Sequence, residues 1–439
     1  MAGNTVSTTG QDHIRWFRNT APYINAHRGK TFVLMLGGEA AQHPNFSHII
    51  HDIALLNSLG VRLVLVHGNR PQIDERLQQA GLERRFHNGM RITDSAAMPL
   101  VTDAAGSLRA QIEALFSMGL PNSPMQGSRI RVCSGNFVSA RPIGVLGGVD
   151  FHHTGRVRRV DVAGIREQLA AGAIVLLSPL GYSPTGEIFN LALEDIAVHC
   201  ASAIGADKLL LFGADEGLQN IEGELLRQIA VGEMPDLDFA SDEQARLADT
   251  ARRACLAGVE RCQVISFRDD CAMLQELFTH DGAGTLVAKD DYEQSRWATI
   301  DDVGGILELI EPLEQQGILL KRSRELLETE ISHFRLLERD GRILACAALY
   351  PYPEDRCGEL ACVVANPEYR GGKRGERLLR GLEREARQQG LEQVFVLTTQ
   401  TAHWFIEQGF RECGRDALPA QKQNLYNLQR NSKVFFKTL

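Results

Sequence analysis

The chain has 439 residues, 44% of them hydrophobic and 23% charged, and a formal net charge of −8. The length exceeds one ordinary core and predicts two or three domains, while the acidic balance excludes a global field for nucleic acid or an anionic membrane, so any anion site must be local. There is no run of about 18 apolar residues for a transmembrane helix, the N-terminus MAGNTVSTTGQDHIRW lacks a signal-peptide layout, and nine cysteines without a C-x-x-C pair predict reduced thiols in a cytoplasmic protein.

Residues 12–28 predict an N-terminal helix broken near Pro22, packed either on its own domain or on another subunit. A repeated theme follows. TFVLMLGGEA is a strand running into two glycines, NFSHIIHDIALLNSLG a helix, and VRLVLVHGNRP a second strand with a glycine turn. AIVLLSPLG, KLLLFGAD and RCQVISF continue the series to about Val287. Strands without alternation, separated by helices, predict a parallel sheet covered on both faces, with ligands at the carboxyl ends of its strands.

LVAKDDYEQS is polar and predicts a connector. WATIDDVGGILELIEPL then opens a new unit with a capping Asp and an amphipathic helix, and FRLLERDGRILACAALYPY predicts a hairpin about Asp340–Gly341. GELACVVANPEYR is a strand, GERLLRGLEREARQQG a helix, QVFVLTT a strand, AHWFIEQGF a short helix and SKVFFKTL a last strand. The organisation expected is 1–29 as an N-terminal helix, 30–288 as a parallel-sheet domain, 289–295 as a linker and 296–439 as a second α/β domain.

ACVVANPEYRGGKRGERLL changes character at its middle, from buried strand to basic glycine turn to helix. Such a turn aims unpaired N–H groups and the positive helix end at one spot, which suits a pyrophosphate. Gly371, Gly372 and Gly375 let the backbone come close, and Arg370, Lys373 and Arg374 add charge.

The order helix, hairpin, strand, glycine turn, helix, strand, H-W-F helix and G-F strand resembles the GNAT superfamily of acetyltransferases. Its pyrophosphate loop, R/Q-x-x-G-x-G/A, maps onto Arg370 to Gly375 with Lys373 in place of the fourth-position glycine. The resemblance implies acetyl-CoA as co-substrate. It also implies that the strand through Cys362, Val363 and Val364 splays from its neighbour to hold the pantetheine arm. Acetyl transfer needs a neutral amine and a proton for the leaving thiolate. Glu359, beside Gly358 in an apolar setting, is the candidate base; Tyr426 and Thr398 are both candidate acids.

Residues 30–288 resemble the amino-acid kinase fold, and N-acetylglutamate kinase in particular, with its chemistry altered. Met35 stands where that family has a phosphoryl-binding lysine. FNLALEDIA keeps Asn190 but carries Ala192 and Glu194 in place of N-x-N-A-D, and Gly213 and Ala214 replace a Thr-Asp pair. Phosphoryl transfer depends on such cations and carboxylates, so this domain is expected to bind without transforming.

The two halves together, through IRWFRNTAPYINAHRGKTFVLMLGGEA, CSGNFVSARPIGVLGGVD, LEQQGILLKRSRE, CGELACVVANPEYR and HWFIEQGF, resemble the N-acetylglutamate synthase family of bacterial arginine biosynthesis. That implies an enzyme acetylating the α-amine of L-glutamate, with Arg322, Arg430 and Ser432 holding the acceptor. It implies L-arginine as inhibitor, bound by Trp16 or Tyr23, Gln263, Glu276 and Gly282, and a homo-oligomer, a hexamer, without nucleic acid or membrane partners. An N-acetylglutamate kinase with an accessory acetyltransferase domain and a non-catalytic arginine sensor remain the alternatives. The histidine pairs His48/His51 and His152/His153 lack a third ligand at metal spacing, so no metal is expected. Cys362 reads as a buried thiol and not a nucleophile.

Overall fold

The computed structural model describes residues 8–118, 126–127, 129–279, 282–289, 294–339, 342–366, 374–424 and 432–439, with side chains from residue 17 onward apart from those of residues 339 and 424. Two compact units divide the chain, Met1–Asp290 and Asp291–Leu439.

The first unit is built on an eight-stranded sheet whose central strands are Lys208–Gly213, Thr31–Leu36, Arg62–His67 and Ile174–Leu177, all parallel. Alternate residues of these strands enter two different cores. Val33, Met35, Val64 and Val66 face the helices Leu193–Ile204 and Asp242–Leu256, while Phe32, Leu34, Leu63 and Leu65 face Phe46–Ser58 and Ala272–Phe278. Both faces are therefore apolar, which is why the sequence shows runs instead of alternation. The strand Thr285–Ala288 is the exception to the parallel pattern, pairing antiparallel with Arg261–Ser266. A separate four-stranded sheet of short strands, Val138–Pro142, Gly155–Val160, Leu180–Tyr182 and Ile188–Asn190, was not legible as strands in the sequence.

The N-terminal helix corrects one expectation. It runs unbroken from Thr8 to His27 with Pro22 inside it. A proline forfeits one N–H and crowds the preceding turn, yet this helix is docked at its C-terminal end: Tyr23 and Ile24 pack on the core below, and His27 Nε2 lies 2.8 Å from the carbonyl oxygen of Leu277.

The second unit is a seven-stranded sheet in the order Gln294–Trp297, Phe334–Arg339, Arg342–Tyr352, Cys357–Ala365, Gln393–Thr398, Lys433–Thr438, Arg411–Cys413. Every neighbouring pair is antiparallel except Cys357–Ala365 with Gln393–Thr398. Helix Val303–Gln315 covers one core and Arg374–Gln388 another. The capping signal is a reciprocal box of Thr299 and Asp302.

Arg296 ties this start together. Its guanidinium donates to both Asp302 oxygens, at 2.7 and 2.8 Å, and pairs with Glu338 on the adjacent strand. Hydrogen bonding from Arg296, above all, holds the Asp302 carboxyl at about 2 against an ordinary 3.8. A depressed folded-state value stabilises the fold fully above the unfolded value and loses that contribution as pH falls through the folded one. Asp302→Asn should thus lower stability by about 1–2 kcal/mol at neutral pH. In urea titrations the difference from wild type should shrink as pH falls from about 4 toward about 2; a gap independent of pH would show that the carboxylate charge is not what matters.

Candidate active site and effector region

The one parallel pair of the second unit is short. Cys357, Gly358 and Glu359 pair with Gln393, Val394 and Phe395, and there the ladder stops, although the first strand runs on to Ala365 and the second to Thr398. The strands splay beyond Glu359, as expected for residues 361–364. On its other edge the same strand carries a bulge: Ala348 pairs with Ala361 and Cys346 with Val364, so Cys362 and Val363 oppose Ala347 alone. Cys362 takes the left-handed φ of 50°. An unbranched residue in that region costs energy, and bulges re-aim side chains where a site needs it.

Val363 then packs toward the Arg374–Gln388 core, and Cys362 and Val364 toward the Val303–Gln315 core. Burial, the largest cause, pushes the Cys362 thiol up to about 11. It is a poor nucleophile, in keeping with its reading as a buried thiol. The Arg322 guanidinium, expected from the resemblance to hold the acceptor, interacts with this thiol and with the Tyr350 hydroxyl, against the bulge.

Glu359, the last paired residue before the splay, is buried. Its expected apolar setting is corrected: Lys422 Nζ lies 2.6 Å from Oε2, and the Tyr352 hydroxyl donates to the same oxygen at 3.5 Å. Burial first, then the Glu359 charge, pushes the Tyr352 phenol up to about 12. Sequence reasoning missed both partners. Tyr352 stands at the far end of the adjacent strand, and Lys422 is a long way along the chain, with no pattern marking either.

Thr398 ends the second splayed strand, pairing with Lys433 beside the buried Ser432. Its hydroxyl is 2.9 Å from that of Thr401 and accepts the Thr401 N–H at 3.1 Å, closing the turn into helix Ala402–Glu407. Gly375 has a packing role in addition to the expected one: a Cβ there would come within 2.9 Å of the Trp404 ring. Arg374 begins the helix. Arg370, Gly371, Gly372 and Lys373, with Tyr426 and Arg430, lie outside the described residues.

In the first unit, the helix Ala272–Phe278 carries Glu276, whose Oε2 accepts from the backbone N–H groups of Ala283 and Gly284 at 2.8 and 3.0 Å. Gly282 has φ of 65°, and a Cβ on it would meet the same oxygen at 2.5 Å, so this turn requires glycine. Gln263 shares a strand face with Ile265, whose core includes Met273, Leu277 and Tyr23; its buried Oε1 has no partner among the described residues. Tyr23, Gln263, Glu276 and Gly282 thus belong to one layer, joined by His27, which the sequence did not single out. The side chain of Trp16 lies outside the described set. Immediately before Glu276's helix is Cys271, exposed and at φ of 65°.

At the carboxyl end of the strand Ile174–Leu177, Arg109 lines a cavity with Ser134, Leu177 and Ser178. Met35 is buried between Val66 and Leu211. Burial pushes His67 down to about 4, leaving a neutral ring with Nε2 2.8 Å from Ser178 Oγ. Gln72 donates to the Gly38 carbonyl at 2.8 Å, and Asn190 to Thr93 Oγ1 at 3.0 Å. Among the described residues no cluster of three His, Cys, Asp or Glu is arranged for a metal.

Residues 30–266 match the amino acid kinase family and residues 305–410 the acetyltransferase (GNAT) family. An amino-acid acetyltransferase of Pseudomonas putida is 58% identical over 430 residues, covering 98% of this chain and 100% of that one. The chain belongs to the amino-acid acetyltransferase family. It is an acetyltransferase with an amino acid kinase-like first unit. Among solved structures, N-acetylglutamate synthase from Neisseria gonorrhoeae complexed with coenzyme A and L-arginine is 37% identical, with TM-score 0.89 over 97% of this chain and 99% of that one. The same enzyme with coenzyme A and N-acetyl-glutamate is 38% identical, with TM-score 0.62 over the same shares.

In this acetyltransferase, Thr398→Val should lose the turn's side-chain acceptor and cost about 1 kcal/mol. Thr398→Ser should restore the urea midpoint; if valine is as stable as wild type, the hydroxyl is not needed for the turn.

Proposed function

We propose that the chain transfers acetyl from acetyl-CoA to the α-amine of L-glutamate, giving N-acetyl-L-glutamate and CoA, as a soluble enzyme of the cytoplasm. The observation that carries this reading is the position of Glu359, a buried carboxylate at the last paired residue before the splay. The glycine loop of residues 370–375 suits the diphosphate of the thioester, and Arg322 with Arg430 suits the two carboxylates of the acceptor. Relatives crystallised with coenzyme A and N-acetyl-glutamate support the same pair of ligands.

In this reaction the amine nitrogen attacks the thioester carbonyl carbon, forming the C–N bond. The carbonyl π electrons return to expel sulfur, breaking C–S. Glu359 takes the proton the amine loses, and the departing thiolate takes one from the Thr398 or Tyr426 hydroxyl. Direct transfer agrees with the high thiol value of Cys362.

L-arginine is the proposed inhibitor. Glu276 offers its guanidinium a carboxylate, and Tyr23, Gln263 and Gly282 lie in the same layer. The arginine-bound relative supports this assignment. Inhibition is then a coupling free energy between effector and acceptor binding. The Thr8–His27 helix, with Phe17 exposed on it, is the proposed contact for a hexamer.

Mixing the enzyme with acetyl-CoA and glutamate should release thiol one-for-one with N-acetylglutamate. Glu359→Ala should lower turnover by about 100-fold or more; turnover close to wild type would take the base role away from Glu359. Glu276→Gln, which keeps an acceptor for the Ala283 and Gly284 N–H groups, should raise the arginine concentration for half-inhibition by about tenfold or more. Unchanged sensitivity would put arginine elsewhere.

A further inference from the structure

A base must be aimed as well as ionised. Both partners of the Glu359 carboxylate sit on Oε2: Lys422 at 2.6 Å and Tyr352 at 3.5 Å. Among the described residues nothing engages Oε1. The cation thus consumes one oxygen and leaves the other for proton uptake.

Lys422 is itself held. It lies on the short helix Ala420–Asn424, where the N–H groups of Lys422 and Gln423 donate to the Pro419 carbonyl at 2.8 and 2.9 Å. The Gln423 amide donates to the Leu418 and Asp416 carbonyls at 2.8 and 3.2 Å, and Leu418 packs with Cys357, Phe395 and Val434. That is the sheet face shared by Cys357 and Glu359. The Lys422 side chain is 18% exposed and that of Glu359 9%, so water screens the pair weakly. A lysine on an open surface would do little here.

We propose that Lys422 is a positioning residue for acetyl transfer: its ammonium clamps Glu359 Oε2, fixing the carboxylate so that Oε1 meets the acceptor amine at the splay. The proposal rests on the reading of Glu359 as base. Misplacing a reacting group by about 1 Å costs on the order of 100-fold in rate, so the clamp acts on turnover more than on binding.

A second ion pair supplies the control. Lys437 Nζ lies 2.6 Å from Glu383, with side chains 24% and 7% exposed, at the strand position paired with Val394. It is as close and as buried, without touching Glu359. Lys422→Ala should lower kcat by about 10- to 100-fold with the KM values for acetyl-CoA and glutamate within about twofold. Lys422→Arg should keep most of the rate, and added ethylammonium should restore part of the activity of Lys422→Ala. Lys437→Ala should lower the melting temperature but not kcat, and ethylammonium should not change its rate. If Lys422→Ala keeps full kcat, or loses it with no recovery from arginine or ethylammonium, the clamp is overturned while Glu359 stands as base by its own 100-fold loss. If Glu359→Ala remains active while Lys422→Ala is slow and rescued by the amine, Lys422 serves the substrate directly; the clamp and the base reading then both fail.

Discussion

The acetyltransferase unit depends on a strand that keeps one partner and leaves the other. Cys357–Ala365 stays paired to Arg342–Tyr352 along its length, but its parallel ladder with Gln393–Thr398 ends at Glu359 and Phe395. The bulge at Cys362 and Val363 turns the departing strand, and the parting creates a cleft in the middle of a sheet that is otherwise continuous. Every proposed catalytic contact is referred to that fork. Glu359 stands at its root, Arg322 lies against the bulge, and Thr398 and Ser432 lie where the other strand ends. A fully zipped sheet with the same side chains would have no room for a thioester.

The kinase-like unit reaches its role by a different constraint. Its central strands are apolar on both faces, so their carboxyl ends are where polar side chains can converge. Here the ends of Thr31–Leu36 and Arg62–His67 carry uncharged side chains. Met35 is core, His67 is neutral, and Gln72 occupies the glycine pair. Farther round the sheet lies the edge where Glu276 meets the Gly282 turn and the N-terminal helix docks through His27.

Periodicity made the architecture legible: continuous apolar runs foretold a sheet with two cores, and the change to a hairpin foretold a second unit. The basic glycine loop was legible from its own residues as an anion-binding turn, the splay came from family resemblance, and Glu359 from its place on the strand and the proton transfer the chemistry needs. What escaped has physical reasons. A bulge is a matter of register, and ELACVVAN contains nothing that fixes which residue goes unpaired. The Lys422–Glu359 pair joins a short helix to a distant strand, so neither residue's local neighbours betray it. Pro22 signalled a break because the local rule does not include the core that holds the helix end. Gly375 carries two demands, of which only its place in the loop was visible before Trp404 was seen against it.

Nine cysteines are distributed through the chain, six of them buried and two intermediate, leaving Cys271 as the one exposed sulfur. It stands at the start of the short helix that bears Glu276. Burial and the neighbouring Asp270 and Asp52 raise its thiol, so less of it is thiolate near neutral pH than for an ordinary cysteine. A maleimide dye placed there would be attached about one and a half helical turns from Glu276, giving an optical reporter of this segment without engineering a new attachment point.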